Sequence, residues 1–244
     1  MLESVRKINV YYYTIFALIV TAVSGLFIAG VNTSFILQLI IVPIVTALAD
    51  IMMKRIRFGK IMYSPSATIT GLILAMVLPA LPIYALVIIG LIAILQKHII
   101  KIRDRHIFNP AAFGLLFAWI TFGTPPAWWA TATPAILLFL ISDFLIKKLT
   151  LSVTFYLAYL ILFSISNYLS SGLFAPTLLN YPLLFFATVM VVEPRTSAIT
   201  RIGMLIEGIL LGLGVFAIQQ FLPIDVFIPM LLLMNLLVHL RVLK

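Results

Sequence analysis

The stretch WWATATP, residues 128–134, sets the hydroxyls of Thr131 and Thr133 just before a proline, in a chain that is 64% hydrophobic. A threonine hydroxyl at such a place has two uses. It can accept a backbone N–H and cap the helix that Pro134 begins, because threonine is a good N-cap and proline suits the first helical position. It can also be the oxygen of a phosphoester, which holds a group but removes the hydroxyl as a donor. In FNPAAFG, residues 108–114, Asn109 and Pro110 open another helix. A helix start offers free N–H groups and partial positive charge to an anionic or carbonyl-rich ligand, or is simply capped by Asn109.

Ser66, Thr68 and Thr70 alternate with apolar residues in YSPSATITG. Their hydroxyls can bind a ligand or satisfy backbone freed by a break in a helix. Glu193, Arg195 and Thr196 lie together in VVEPRTSAITR, either as a local acid–base pair or as groups that orient a ligand. Three acids fall within or near apolar runs, where ionisable groups are costly and point to cation or proton handling. Of these, Asp50 and Asp143 each stand four residues before a lysine, Lys54 and Lys147, a spacing that suits an ion pair on one helix face. Glu207 lies within reach of Arg195 or Arg201, and Asn235, in LLLMNLL, is placed to hydrogen-bond across helices.

Other chemistries are excluded. The chain has no cysteine, so it offers no thiolate, disulfide or thiolate-bound cluster. His98, His106 and His239 have no metal-site spacing, and neither a phosphate-binding glycine loop nor a serine-hydrolase elbow is present. Gly208, Gly212 and Gly214 read as sites of close helix packing.

The elements that position these residues cross a membrane. Charged residues make up 9% of the chain, against about 25% in soluble domains, and the mean hydropathy is +1.22. Ten apolar segments follow: 9–30, 34–53, 64–80, 83–97, 109–122, 134–147, 152–170, 179–192, 202–221 and 223–240. The first is too long for a signal-peptide core and is read as a retained span. A full span needs about 20 residues, so the short fifth and eighth segments, and the marginal third, are expected to be broken or half helices lining a site.

With the N-terminus in the cytoplasm, alternating sides puts all 16 basic residues on the cytoplasmic face and leaves only Asp225 outside. That is the positive-inside pattern, so the net charge of +9 marks topology, not nucleic-acid binding. Both termini are expected in the cytoplasm and the 122–136 loop outside. The expected fold is an all-α polytopic membrane protein with one integral membrane domain over residues 1–244. A rhythm of two long segments, a short one and two more divides it into inverted five-helix repeats, about 9–122 and 134–240, with a site at their interface.

SATITGLILAMVLP (66–79), FNPAAFGLLFAW (108–119), FFATVMVVEPRTSAITRIGMLIEGILLGLGVF (185–216) and LLLMNLL (231–237) together resemble one family. It comprises the membrane flavoprotein subunits of two redox complexes, the B subunit of the sodium-pumping NADH:quinone oxidoreductase (Nqr) and the D subunit of the Rnf complex. The resemblance implies a urea-transporter-like architecture and an FMN joined through its phosphate to a threonine in a Ser-Gly-Ala-Thr-like motif on the outer side. Thr133 matches that threonine, while Ala130 and Thr131 replace the serine and glycine. It further implies a second flavin such as riboflavin nearer the cytoplasm; Thr131, Asn109, Pro110, Ser66, Thr68, Thr70, Glu193, Arg195 and Thr196 are the other candidate cofactor contacts. The implied role is an electron-transfer subunit in the cytoplasmic (inner) membrane, not a stand-alone enzyme. Its partners would be other subunits, a cytoplasmic oxidoreductase and a flavin transferase, and sodium or proton movement would be coupled. A channel or carrier for a small neutral solute or a flavin, or an assembly scaffold, remains open on the same architecture.

Overall fold

The computed structural model describes residues 9–102, 104–172, 180–222 and 224–240. The basic residues Arg6, Lys7, Arg103, Arg241 and Lys244, which enter the topology count, lie outside the described residues, as do both termini. Ten helices are described: α1 (Val10–Ala29), α2 (Thr33–Phe58), α3 (Pro65–Val77), α4 (Ile83–Ile99), α5 (Pro110–Phe122), α6 (Pro134–Leu145), α7 (Leu149–Ser171), α8 (Tyr181–Met190), α9 (Arg201–Gln219) and α10 (Phe227–His239). Each corresponds to one of the expected segments. A two-residue hairpin, β1 (Lys101–Ile102) with β2 (Arg105–His106), pairs Lys101 with His106 and was not expected in an all-α reading.

Most helices begin where a polar side chain meets the first free N–H groups. Asn9, Asn32, Asn109, Asn180 and Thr200 cap α1, α2, α5, α8 and α9 through backbone N–H donors two or three residues on. Four helices, α1, α2, α7 and α9, are long and apolar enough to cross a membrane, and six are shorter. The expected rhythm of lengths is therefore not repeated, because the long helices fall first and second in one half but second and fourth in the other. α3, α5 and α10, at 13 residues each, span roughly 20 Å of a hydrocarbon layer about 30 Å thick.

What recurs is the packing. In the first half α1 packs on α3, α2 on α3 and α4, and α4 on α5; in the second α6 packs on α8, α7 on α8 and α9, and α9 on α10. The halves meet where α1 touches α6 and α5 touches α10. Large apolar side chains such as Phe16, Phe27, Ile40, Leu48, Ile120 and Ile161 stay exposed on the outside, as a lipid-facing surface requires. The chain is an integral membrane protein.

A helix that stops short leaves carbonyls without partners, and α3 ends fully buried. The buried Gln38 amide of α2 donates to the carbonyls of Ala75 (2.8 Å) and Leu78 (3.0 Å). The loop before α6 supplies the rest. Ala127 N–H reaches Val77 O at 2.7 Å, Ala130 N–H reaches Met76 O at 3.3 Å, and the Trp129 indole reaches Ala75 O at 2.9 Å.

Candidate functional site

A cleft of about 290 Å³ opens between the halves. Its volume is near the lower end of the roughly 300–1,000 Å³ common for ligand pockets, and apolar walls with a few converging polar groups are the usual composition of such sites. α3 contributes Ser66, Ile69, Thr70 and Ile73, and α5 contributes its first turn, Pro110 and Ala111, with the cap Asn109. From the other half come Phe139 and Ser142 of α6, Thr188 and Val189 of α8, and the turn Val192–Arg195. Tyr11 and Thr14 of α1 and His106 of the hairpin complete the polar lining.

The α8 contribution depends on a change of helix type. From Phe186 to Met190 the helix is π, and Val191 N–H bonds to Phe186 O at 3.0 Å. Single π turns inside α-helices recur at functional sites. Asn109 secures this segment: its Oδ1 accepts Ala112 N–H at 3.0 Å, its Nδ2 donates to Met190 O at 3.0 Å, and its own N–H donates to Asn235 Oδ1 at 2.9 Å. Asn235 then donates to Thr196 O at 3.4 Å. Asn235 thus bonds across helices as expected, and it ties α10 to the start of α5.

Six of the residues singled out in the sequence line this one cleft: Ser66, Thr70, Asn109, Pro110, Glu193 and Arg195. Thr68 does not line it and bonds instead to the Tyr63 hydroxyl. Thr196 is buried behind it and donates to Glu193 Oε2 at 3.3 Å. Glu193 does not pair with Arg195. The arginine is exposed while the carboxylate turns inward to His106 Nε2 at 2.7 Å. His106 was passed over in the sequence because its spacing forms no metal set; its nearness to Asn109 in the same loop was the available signal. Ser66 Oγ also accepts from Lys97 Nζ at 2.9 Å, another contact that sequence reading missed.

The acids behave differently from one another. Asp50 is fully buried and meets Lys54 (2.8 Å), as expected, together with Lys97 (3.3 Å) and His98 (2.9 Å). Asp143 does not pair with Lys147. α6 ends at Leu145, and Lys147, at φ 60, turns outward, so the helical spacing is broken. Asp143 is fully buried beside the Ser152 hydroxyl of α7 and forms no salt bridge among the described residues. Glu207 pairs with neither Arg201 nor Arg195, both exposed; the turn before α9 folds back so that Ala198 N–H meets its Oε2 at 2.7 Å. Its Oε1 has no partner among the described residues. Lys148, in the turn between α6 and α7, donates to Ser197 Oγ at 2.9 Å and to Ala198 O. Burial lowers its ammonium to about 8, the Glu207 charge opposing the shift.

Thr131 and Thr133 lie apart from the cleft, in the loop that covers the end of α3. Thr131 Oγ1 donates to Trp128 O at 2.7 Å. Thr133 caps the 3-10 turn over Pro134–Leu138 by accepting Ala135 N–H at 3.3 Å, and its side chain is 2% exposed. The hydroxyl is therefore not presented to solvent. Trp128 and Trp129 spend their indole N–H groups on protein. Trp128 reaches Asp225 Oδ2 at 2.6 Å. Burial pushes Asp225 above the usual carboxylate range, with the Trp128 hydrogen bond opposing.

Among the described residues no cluster of three or more His, Asp or Glu forms a metal site. The donor set of the cleft instead suits a flat heterocycle with a polar edge: apolar faces from Ile69, Ile73 and Val189, hydroxyls from Ser66, Thr70 and Thr188, and a helix start. A model of the NQR2, RnfD, RnfE family matches residues 3–152, from before α1 to the first turns of α7. No curated protein sequence matches the chain.

Proposed function

Because the chain belongs to the NQR2, RnfD, RnfE family, we propose that it is the flavin-bearing membrane subunit of an Rnf- or Nqr-like redox complex. The cleft is the place for a non-covalent flavin such as riboflavin. The observation that carries this reading is the convergence of Ser66, Thr70, Asn109 and Glu193 from three separate stretches on one apolar-walled cleft. A flavin bound there supplies the electron chemistry, and the protein supplies placement and electrostatics. The α5 start offers partial positive charge to the polar edge of the ring. Ser66, Thr70 and Thr188 offer hydrogen bonds, and the walls exclude water.

The recurrence of helix pairings between the halves supports a ten-span inverted repeat, with the cleft at its interface. The basic residues of the described loops support cytoplasmic placement of the cleft mouth. Coupled sodium or proton movement is assigned to Asp143 and Glu207, buried carboxylates outside any salt bridge among the described residues, which suits a cation or proton. Asp50, matched by three basic groups, is left out of that role. A cytoplasmic oxidoreductase and other subunits complete the path of electrons.

FMN attachment at Thr133 is a separable part of the proposal. The cap over Pro134–Leu138 has to open before a transferase can reach the hydroxyl. The test is expression with and without a flavin transferase, followed by flavin extraction and intact mass. Extractable flavin in both preparations is expected from the cleft, and an FMN-sized increment is expected only in the parent with transferase, not in Thr133→Val. Colourless protein with no adduct would sink the proposal, and solute uptake by flavin-free protein in vesicles would favour a carrier.

A further inference from the structure

His106 and Glu193 reach the cleft from opposite halves of the chain. His106 is 2% exposed, its Nε2 lies 2.7 Å from Glu193 Oε1, and its Nδ1 has no partner among the described residues. Unlike Asp50, Glu193 has no lysine or arginine within ion-pair distance among the described residues; its only such partner is this imidazole. With Nε2–H directed at the carboxylate, Nδ1 keeps a lone pair that can take a proton. Imidazole is the side chain whose charge ordinarily changes between about pH 5 and 8.

We propose that the His106–Glu193 pair compensates charge in the cleft, taking up one proton when a bound isoalloxazine is reduced. This rests on the flavin reading of the cleft. The electrons come from a reductant outside the chain, by the complex's cytoplasmic oxidoreductase or an electrode. One N–H bond forms at His106 Nδ1, with its proton drawn from water at the cleft mouth, and the pair passes from one negative charge to none. Charge added in a poorly solvated site is costly unless paired, and this pair removes a negative charge as reduction adds one.

The surroundings leave that task to the pair. α1, α3, α6 and α8 bring only uncharged groups to the cleft: Tyr11, Thr14, Ser66, Thr70, Ser142 and Thr188. The nearby charges are Lys97 of α4, which acts on Glu193, Lys101 opposite His106 in the hairpin, the adjoining Asp104 and Arg105, and exposed Arg195. Lys148 lies within electrostatic range of Arg105.

The test uses the purified full chain in detergent with riboflavin, which lacks the phosphate for attachment at Thr133. The bound flavin is reduced at an electrode near pH 7, with an indicator dye reading the protons taken up per flavin reduced. The parent is expected to take up about one proton more than His106→Gln. Glu193→Gln, which can still bond the imidazole but lacks the charge, is expected to lose much of the excess as well. Equal uptake in the parent and both variants, with riboflavin bound to all three, overturns the pair and leaves the flavin reading intact. A parent that binds no riboflavin overturns both. Loss of riboflavin from both variants also overturns the pair's role, since compensation is not needed to hold the oxidised, neutral ring.

Discussion

Asn109 does three jobs with one side chain and one N–H, joining α5 to Met190 and Asn235. Replacing it with alanine removes a helix cap and a buried bond to a carbonyl, together costing about 2–3 kcal/mol. Asn109→Ala should lower the thermal midpoint of the purified protein, and Asn109→Asp, which keeps the cap, should recover about half of the loss. A midpoint unchanged in Asn109→Ala would show that this joint is not structural. The cap was legible in the sequence because it is local, an asparagine directly before a proline that opens an apolar run. Its distant partners were not, since Met190 and Asn235 lie 81 and 126 residues away. The same limit hid Gln38, whose amide serves the end of a helix nearly 40 residues further on. Thr133 shows the converse: its cap was readable, but the burial that withholds its hydroxyl comes from the folding of the whole loop onto α3.

At the scale of elements, α7 packs closely against α9. A Cβ on Gly208 would lie 2.9 Å from Phe155 N, and one on Gly212 would lie 2.8 Å from Ala158 Cβ. Because these obstacles are a backbone nitrogen and a Cβ, neither can be relieved by turning a side chain. Gly208→Val should destabilise by about 1–3 kcal/mol, read as a lower thermal midpoint and a smaller monodisperse peak in detergent. Gly214→Ala meets only the flexible end of Met230 and should be nearly neutral. Equal behaviour of the two variants would mean that the α7–α9 contact is looser than described. The glycine pattern foretold close packing, and the punctuation of apolar runs foretold ten helices. The lengths went astray because apolar residues after α3 and α6, such as Leu78 and Ile146, read as helix when they lie just outside it.

For the whole molecule, the asymmetry of charge is the feature that sequence conveys best, since it needs only a count along the chain. The absence of native cysteine makes it simple to test. Lys101→Cys and Pro125→Cys, treated in intact cells with a membrane-impermeant maleimide, should differ: Pro125→Cys reacts directly, and Lys101→Cys reacts only after permeabilisation. The reverse result would invert the topology and place the cleft mouth outside. The cleft itself could not be located from the sequence in this way. Its polar residues were individually visible, but their meeting depends on which helices touch across the seam, and apolar faces that all look alike to lipid carry little of that information.

The π turn in α8 has a consequence for descent. A π turn holds one more residue than the α turn it replaces, so its presence is a matter of length and not of any particular side chain. Removing one residue from Phe186–Met190 would restore an α-helix and rotate everything after it by about 100°, swinging Glu193 and Arg195 away from the cleft wall. Residue-by-residue comparison of this chain with a relative lacking the insertion would look unremarkable at every aligned position. The difference in the site would lie in a single gap.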